Sequence, residues 1–412
     1  MRKSVKPSEV KGKILALSSK SVAQRAIAAA TMTKGVSEIL HPGSCDDTRS
    51  AIAVCQSLGA EIVEDPDRLV IRGGLKLPQK PLFCGEAGLG IRMFSAIAAT
   101  LEGEVVLTGH GSLLKRPMHI IEDALVRLGA QCTTCKGLLP VRTVGPLTGG
   151  SAIIDGSMSS QVLTGLLMAA PRAQKDVVLI VNNLQSKPYI DITLDLMRDF
   201  GVEVDNNSYK EFHIRVGQEY QPRAYQVEGD WSGAAFMLVA GAIAGSIEVE
   251  NLNTRSHQAD RAILDALKRA GAYVSIREDG VLVKKDNLIG FDFDATHCPD
   301  LIPPLVALAA CCTGRSTFLG ARRLRVKESD RAAALQQEFA KLGITIKVDG
   351  DVMVVEGGNI YPADTYAHGD HRIAMAAGVV SLAGKGLVNI DGAESVAKSY
   401  PDFWDDLANI SL

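Results

Sequence analysis

Apolar residues along the chain fall into two alternating helical patterns. In the first they recur every three or four positions and the segment closes on glycine: AIAVCQSLGAEIV, IEDALVRLGAQC, ITLDLMRDFGVEV, ILDALKRAGAYVSI and ALQQEFAKLGITIKV. That spacing predicts amphipathic helices with one buried face, and the β-prone residues after each glycine predict a strand. The closing glycines are Gly59, Gly129, Gly201, Gly271 and Gly343, at steps of 70, 72, 70 and 72 residues. A glycine at a helix end takes the left-handed cap without a Cβ clash. A sixth copy, PDFWDDLANISL, starts in step and stops at Leu412 before its strand, which residues 1–17 are expected to supply.

The second pattern keeps the same rhythm but is small and apolar nearly all round. Its copies are SVAQRAIAAATM, GIRMFSAIAAT, SSQVLTGLLMAA, SGAAFMLVAGAIAG, DLIPPLVALAA and DHRIAMAAGVVSLAG, beginning near Lys20, Gly88, Ser159, Trp231, Cys298 and Asp370. Helices without a polar face are buried ones. Each repeat is therefore a buried helix plus a surface helix with strands between, an α/β alternation. Three repeats per domain give two similar domains, residues 18–227 and residues 1–17 with 228–412. The hinge falls near Ala224–Asp230, with the N-terminal strand crossing back to the second domain.

Length and composition add limits. A chain of 412 residues exceeds the roughly 250–300 that one core usually serves, in keeping with two domains. With 44 basic against 47 acidic residues, the net charge of −3 provides no general attraction for nucleic acid or an anionic membrane. The longest uncharged run, Trp231–Ile247, has 17 residues, short of the roughly 20 a bilayer span needs. No secretory pattern opens the chain, so a cytoplasmic protein with reduced thiols is expected. Cys132 and Cys135 form a lone CxxC with no second pair or histidine cluster at zinc spacing, so no metal is expected. GEAGLG is not the dinucleotide order and no GxxxxGK[ST] is present, so no nucleotide or organic cofactor is expected either.

The polar residues of the buried helices gather at their N-terminal ends: Lys20, Ser21, Arg25, Arg92, Ser159, Ser160, Gln161, Asp300, His371 and Arg372. Helix starts carry unpaired N–H groups and about half a positive charge, which disfavours lysine or arginine there unless an anion binds. If these starts converge between the domains, they line a cleft for a strongly anionic small ligand.

In order along the chain stand SSKSVAQRA, GEAGLGIR, KRPM, SSQVLTGLLMAAP, SKPYIDIT, PDLIPPL, RVKESDR, DHRIAM and AKSYPDF. Together, from about Lys20 to Trp404, they resemble the 5-enolpyruvylshikimate-3-phosphate synthases. The resemblance implies two domains, each of three βαβαββ units around buried helices, the enolpyruvyl transferase fold. It also implies the family reaction: the enolpyruvyl group of phosphoenolpyruvate passes to the 5-hydroxyl of shikimate 3-phosphate, and phosphate leaves from a tetrahedral intermediate. These two small molecules would be the partners, with no cofactor, nucleic acid or membrane, and the chain is expected to be a monomer.

By the same resemblance, Lys20, Ser21, Arg25, Ser159, Ser160, Gln161, Ser186, Tyr189, Asp300, Arg323 and Lys327 contact shikimate 3-phosphate. Lys20, Gly88, Arg92, Arg116, Gln161, Arg331, Arg372 and Lys398 contact phosphoenolpyruvate. Guanidinium forks suit such phosphate and carboxylate groups. Asp300 and Glu328, among cations that keep them ionised, are the expected proton carriers, with Asp300 as base for the 5-hydroxyl. Glu328 with Lys20 would handle the methylene proton, and Lys20 and Lys398 would stabilise charge on the leaving phosphate. In RVKESDR, Lys327 and Arg331 stand four apart, as on one helix face.

Two positions depart from the family pattern. Where the family usually has GNxGT, this chain has Gly85-Glu86-Ala87-Gly88-Leu89, so an acid stands near the expected phosphate and a hydroxyl is missing. Either Glu86 turns away or pairs, or phosphoenolpyruvate binds more weakly; Gly88, where the inhibitor glyphosate competes, is kept. Arg323 replaces the Asn or Glu common just before RVK. Three alternatives remain: the sister UDP-N-acetylglucosamine enolpyruvyl transferases, a catalytically weakened paralogue, and a repeat protein that binds polyanions. The segment before Arg116-Pro117 lacks the sister's reactive loop Cys, and only 5% of residues are aromatic, too few for interleaved base stacking.

Overall fold

Both helical patterns are realised in the computed structural model, which describes residues 1–412. Within Ser18–Val227 the helices are α1 (Lys20–Met32), α2 (Asp46–Ser57), α3 (Gly88–Ala98), α4 (His119–Arg127), α5 (Gln161–Ala169) and α6 (Lys187–Asp199). Glu228–Leu412 carries α7 (Trp231–Ala244), α8 (Ile263–Arg269), α9 (Ile302–Ala310), α10 (Arg331–Lys341), α11 (His371–Ser381) and α12 (Phe403–Ile410). The odd-numbered helices are the apolar ones. All of α3, α9 and α11 is buried. In α1, α5 and α7 only Lys20, Ser21, Gln161 and Ser232, at the first or second position, escape full burial. A helix buried along its body offers a ligand nothing but its opening turn. None of the helices is long and apolar enough to cross a membrane.

The even-numbered helices α2, α4, α6, α8 and α10 end on the predicted glycines, whose φ angles lie between +83° and +100°. After each glycine the next amide reaches back to the carbonyl five residues earlier, at 2.8–3.1 Å (Ala60 to Cys55, Ala130 to Leu125, Val202 to Met197, Ala272 to Leu267, Ile344 to Phe339). This left-handed closure satisfies helix-end carbonyls and turns the chain into the following strand.

The chain divides into two compact units, Ser18–Val227 and Met1–Leu17 with Glu228–Leu412. Each has its own core, built on α1, α3 and α5 in one and on α7, α9 and α11 in the other. Each unit carries three sheets, five of the six four-stranded and on one scheme, with the sheet of the sixth repeat three-stranded. In the sheet around α3, Leu82–Phe83 runs parallel to Gly103–Thr108, which pairs antiparallel with Leu138–Gly145, itself antiparallel to Gln131–Cys135. The helix α3 makes the parallel crossover and α4 leads into the closing hairpin, a βαβαββ unit.

Two sheets take their leading strand from a distant part of the sequence within the same unit. Val10–Leu15 precedes α1 in sequence yet pairs in parallel with Gly245–Glu250, after α7. Ala224–Gln226 precedes α7 yet pairs in parallel with Val36–Leu40, after α1. The first residues also serve the sixth repeat, since Arg2–Val5 pairs antiparallel with Val388–Asp391. One strand was expected from residues 1–17, and the structure draws two from them, for two different sheets.

Candidate active site

Two clusters of charged side chains form at helix openings, one in each unit. In Ser18–Val227 the deepest member is Arg25, one turn inside α1 and only 2% exposed. Its Nε donates to Thr193 Oγ1 at 2.9 Å, Nη1 to the Ser21 carbonyl at 2.6 Å, and Nη2 to Thr164 Oγ1 at 3.2 Å and the Tyr189 carbonyl at 3.3 Å. All four acceptors are neutral. Burial accordingly lowers the guanidinium to about 10, with only the Tyr189 and Tyr225 hydroxyls opposing it. These bonds tie the starts of α1, α5 and α6 together.

Around Arg25 the other predicted residues occupy neighbouring openings. Lys20 Nζ, at the first position of α1, pairs with Asp47 Oδ2 of α2 at 2.7 Å. Arg92 of α3 donates to the Gly88 carbonyl and to Gln161 Oε1 of α5, both at 3.0 Å, and to the Pro117 carbonyl at 2.9 Å. Ser159 Oγ accepts from the Gln161 amide at 3.2 Å, and Ser160 is buried at the cap of α5. Ser186 is buried with φ +56° at the cap of α6, and Tyr189 follows in that helix, half-buried against the core. A Cβ on Gly88 would lie 2.3 Å from Arg116 Nη1. The close approach expected of a ligand at Gly88 is thus made here by the Arg116 guanidinium.

The acid at Glu86 is also accounted for. Its Oε1 accepts the Ser112 amide at 2.8 Å, in the 3-10 turn Gly111–Lys115 that leads to Arg116.

In the second unit a single guanidinium organises the cluster. Arg331, 1% exposed, gives Nε to Asp370 Oδ2 at 2.7 Å, Nη1 to Asp300 Oδ1 at 2.8 Å, and Nη2 to Glu328 Oε2 at 2.6 Å and Asp370 Oδ1 at 3.2 Å. Burial alone would lower it; Asp370, Glu328 and Asp300 outweigh burial and raise it. Asp300, just ahead of α9, also meets Lys327 Nζ at 3.1 Å and Arg372 Nη2 at 3.4 Å. Burial pushes its carboxyl up, but Arg372, Lys327 and Arg331 together hold it well below the usual carboxylate range. Burial lowers the Lys327 ammonium, against the pull of Asp300. Lys398 Nζ stands 3.6 Å from Glu328 Oε1, and Arg323 donates to the Thr296 carbonyl at 2.8 Å.

RVKESDR is not the single helical face its spacing suggests. Asp330 caps α10, its Oδ1 accepting the Ala333 amide at 3.1 Å, so the helix starts only at Arg331. Lys327 and Glu328 lie in the loop before it, where Lys327 meets Asp300 and Glu328 meets Arg331 three residues on. An aspartate two residues ahead of the first apolar position was the cap signal in the sequence.

Four supporting groups escaped the sequence reading. Thr164 and Thr193 are hydroxyls inside otherwise apolar helix faces, a weak signal that buried donors need acceptors. Asp47, paired with Lys20, looks like any acid in a first helical turn. Asp260, fully buried, contacts Ser232 Oγ, and burial first, then Asp300, raises it to about 6.

The family model described as EPSP synthase (3-phosphoshikimate 1-carboxyvinyltransferase) matches residues 5–407. The 3-phosphoshikimate 1-carboxyvinyltransferase of Clostridium kluyveri is 37% identical over 411 residues, 99% of this chain and 96% of the relative. That of Clostridium novyi is 35% identical over 417 residues, 98% of this chain and 96% of the relative. The solved EPSP synthase of Acinetobacter baumannii superposes with a TM-score of 0.86 at 28% identity, over 100% of this chain and 98% of that one. On these matches the chain belongs to the EPSP synthase family.

Proposed function

We propose that this chain transfers the enolpyruvyl group of phosphoenolpyruvate to the 5-hydroxyl of shikimate 3-phosphate and releases phosphate. In this reading the cluster of Ser18–Val227 and the cluster of Glu228–Leu412 both serve the same substrate pair. The observation that carries it is the Arg331 assembly: two candidate proton carriers, Asp300 and Glu328, sit on one guanidinium with Lys327, Arg372 and Lys398 beside them. Such a site supplies both anion clamps and ionised carboxylates, and the reaction needs both.

Shikimate 3-phosphate takes its phosphate from Ser159, Ser160 and Ser186, with Lys20, Ser21 and Arg25 adding charge and Gln161 and Tyr189 flanking the ring. From the other unit Asp300, Arg323 and Lys327 reach the ligand. Phosphoenolpyruvate is held by Lys20, Arg92, Arg116, Gln161 and Lys398 beside Gly88, and by Arg331 and Arg372. Arg331 has one N–H left over from its four carboxylate bonds, so Arg372 is the more available carboxylate clamp.

A carboxylate held far below neutral is a weak base, and its acidity here comes from the cations that would clamp the substrate. When Arg372 and Arg331 turn to the phosphoenolpyruvate carboxylate, their hold on Asp300 weakens and burial raises it toward a useful range. Asp300 then removes the 5-hydroxyl proton as that oxygen attacks C2, while the Lys20 ammonium, beside the ionised Glu328, delivers a proton to C3. In the second step Glu328 takes a proton from C3 as the bond from C2 to the phosphate oxygen breaks, and Lys398 and Lys20, the latter reprotonated from Asp300, meet the charge of the departing phosphate.

Phosphate release from phosphoenolpyruvate tests the proposal. Release should require shikimate 3-phosphate and be absent when UDP-N-acetylglucosamine replaces it. No release with shikimate 3-phosphate would refute it.

A further inference from the structure

We infer that Glu86 is a positioning residue for Arg116, setting the phosphate-binding guanidinium through the backbone of the turn that carries it. The inference rests on the enolpyruvyl reading above. It starts from two loops laced together along their length. The segment Cys84–Ala87 enters α3, and the 3-10 turn Gly111–Lys115 leads into Arg116. The His110 amide donates to the Gly85 carbonyl at 3.0 Å, and the Phe83 and His110 rings stack with centroids 5.3 Å apart. Glu86 Oε1 takes the Ser112 amide at 2.8 Å. At the far end, Arg116 lies so close over Gly88 that a Cβ there would be 2.3 Å from its Nη1.

Glu86 adds a side-chain hydrogen bond to this lacing, and the backbone makes room for it. Gly111 has φ +57°, and a Cβ on it would fall 1.4 Å from Glu86 Oε1. A carboxylate held to an amide in this way is a charge-assisted bond, among the stronger hydrogen bonds available. An acid near the expected phosphate therefore orders the turn that ends in Arg116.

The test compares Glu86→Ala and Glu86→Gln with the parent chain, alone and in an Arg116→Ala background, reading KM for each substrate. Glu86→Ala should raise the KM for phosphoenolpyruvate about tenfold, or ~1.4 kcal/mol, and leave that for shikimate 3-phosphate within about twofold. Glu86→Gln keeps an acceptor oxygen for Ser112 and should stay within about threefold of the parent. In the Arg116→Ala background, Glu86→Ala should add nothing, since the group it positions is gone. Gly111→Ala, which displaces the carboxylate while Glu86 remains, should move the phosphoenolpyruvate KM in the same direction as Glu86→Ala.

A fall in that KM in Glu86→Ala would mean the acid merely repels the phosphate. An equal rise for both substrates, or an effect that persists without Arg116, would mean a general structural role. Each result overturns the inference while leaving the enolpyruvyl reading intact. A parent chain that releases no phosphate would remove both.

Discussion

Arg25 gives the sharpest test of whether these helix openings are built for an anion. Its guanidinium is buried, bonded only to neutral oxygens, and lowered to about 10. At ~1.4 kcal/mol per pH unit, that depression means the empty site bears about 3 kcal/mol for keeping the charge buried, at every pH below 10. Arg25→Met removes the charge and keeps most of the volume. The groups left behind retain other partners: Thr193 Oγ1 still bonds the Tyr189 carbonyl at 2.9 Å and stands 3.2 Å from Thr164 Oγ1. The relief of the buried charge should therefore offset the lost hydrogen bonds, leaving unliganded stability within about 1 kcal/mol of the parent. Affinity for shikimate 3-phosphate should fall about 100-fold, the loss of a strong charge-assisted contact. Urea midpoints with and without shikimate 3-phosphate read both quantities, because the ligand's stabilisation disappears with its affinity. A loss of about 3 kcal/mol or more without ligand, together with unchanged ligand stabilisation, would show that Arg25 is a structural cation and refute the reasoning.

Asp300→Ala should lower turnover by about 10²- to 10⁴-fold at temperatures where the variant stays folded; turnover within a few-fold of the parent would remove Asp300 as the base. Gly88→Ala should drive the Arg116 guanidinium from its position and raise the phosphoenolpyruvate KM about tenfold, with the flexible side chain absorbing the clash; an unchanged KM would contradict the Gly88–Arg116 packing. The fully buried Asp260 carboxyl, raised to about 6, keeps a proton that the unfolded chain has already lost, so its contribution makes stability fall as pH rises from about 4 to about 6, by up to about 3 kcal/mol. Asp260→Asn should flatten that fall between pH 4.5 and 6.5 in urea titrations relative to the parent, and identical slopes would contradict the assignment.

Local features of the fold were legible in the sequence because their causes are local. The glycines at 59, 129, 201, 271 and 343 mark left-handed helix ends that only nearby backbone decides, and the apolar bodies of α1, α3, α5, α7, α9 and α11 declare burial by composition. The crossing of residues 1–17 to the second domain was legible from the repeat, but the pairing was not: nothing in Val10–Leu15 or Ala224–Gln226 says which distant strand each will join. The arginines and lysines at helix openings stood out because the helix dipole disfavours them there. Their partners did not. Glu86 takes an amide 26 residues away, and Arg25 rests on hydroxyls 139 and 168 residues away. Those separations leave no spacing signal. RVKESDR differs: its i,i+4 spacing read as one helix face although Asp330, a local cap signal, starts the helix only at Arg331.

The central claim is that one shikimate 3-phosphate molecule is held from both units at once. A crystal structure with that ligand bound tests it directly. Contacts from Arg25, Ser160 and Ser186 to the ligand, with Asp300 and Lys327 within hydrogen-bond reach of the same molecule, are the expected result. A ligand seated on one unit alone, with Asp300 beyond reach of its 5-hydroxyl, would contradict the claim.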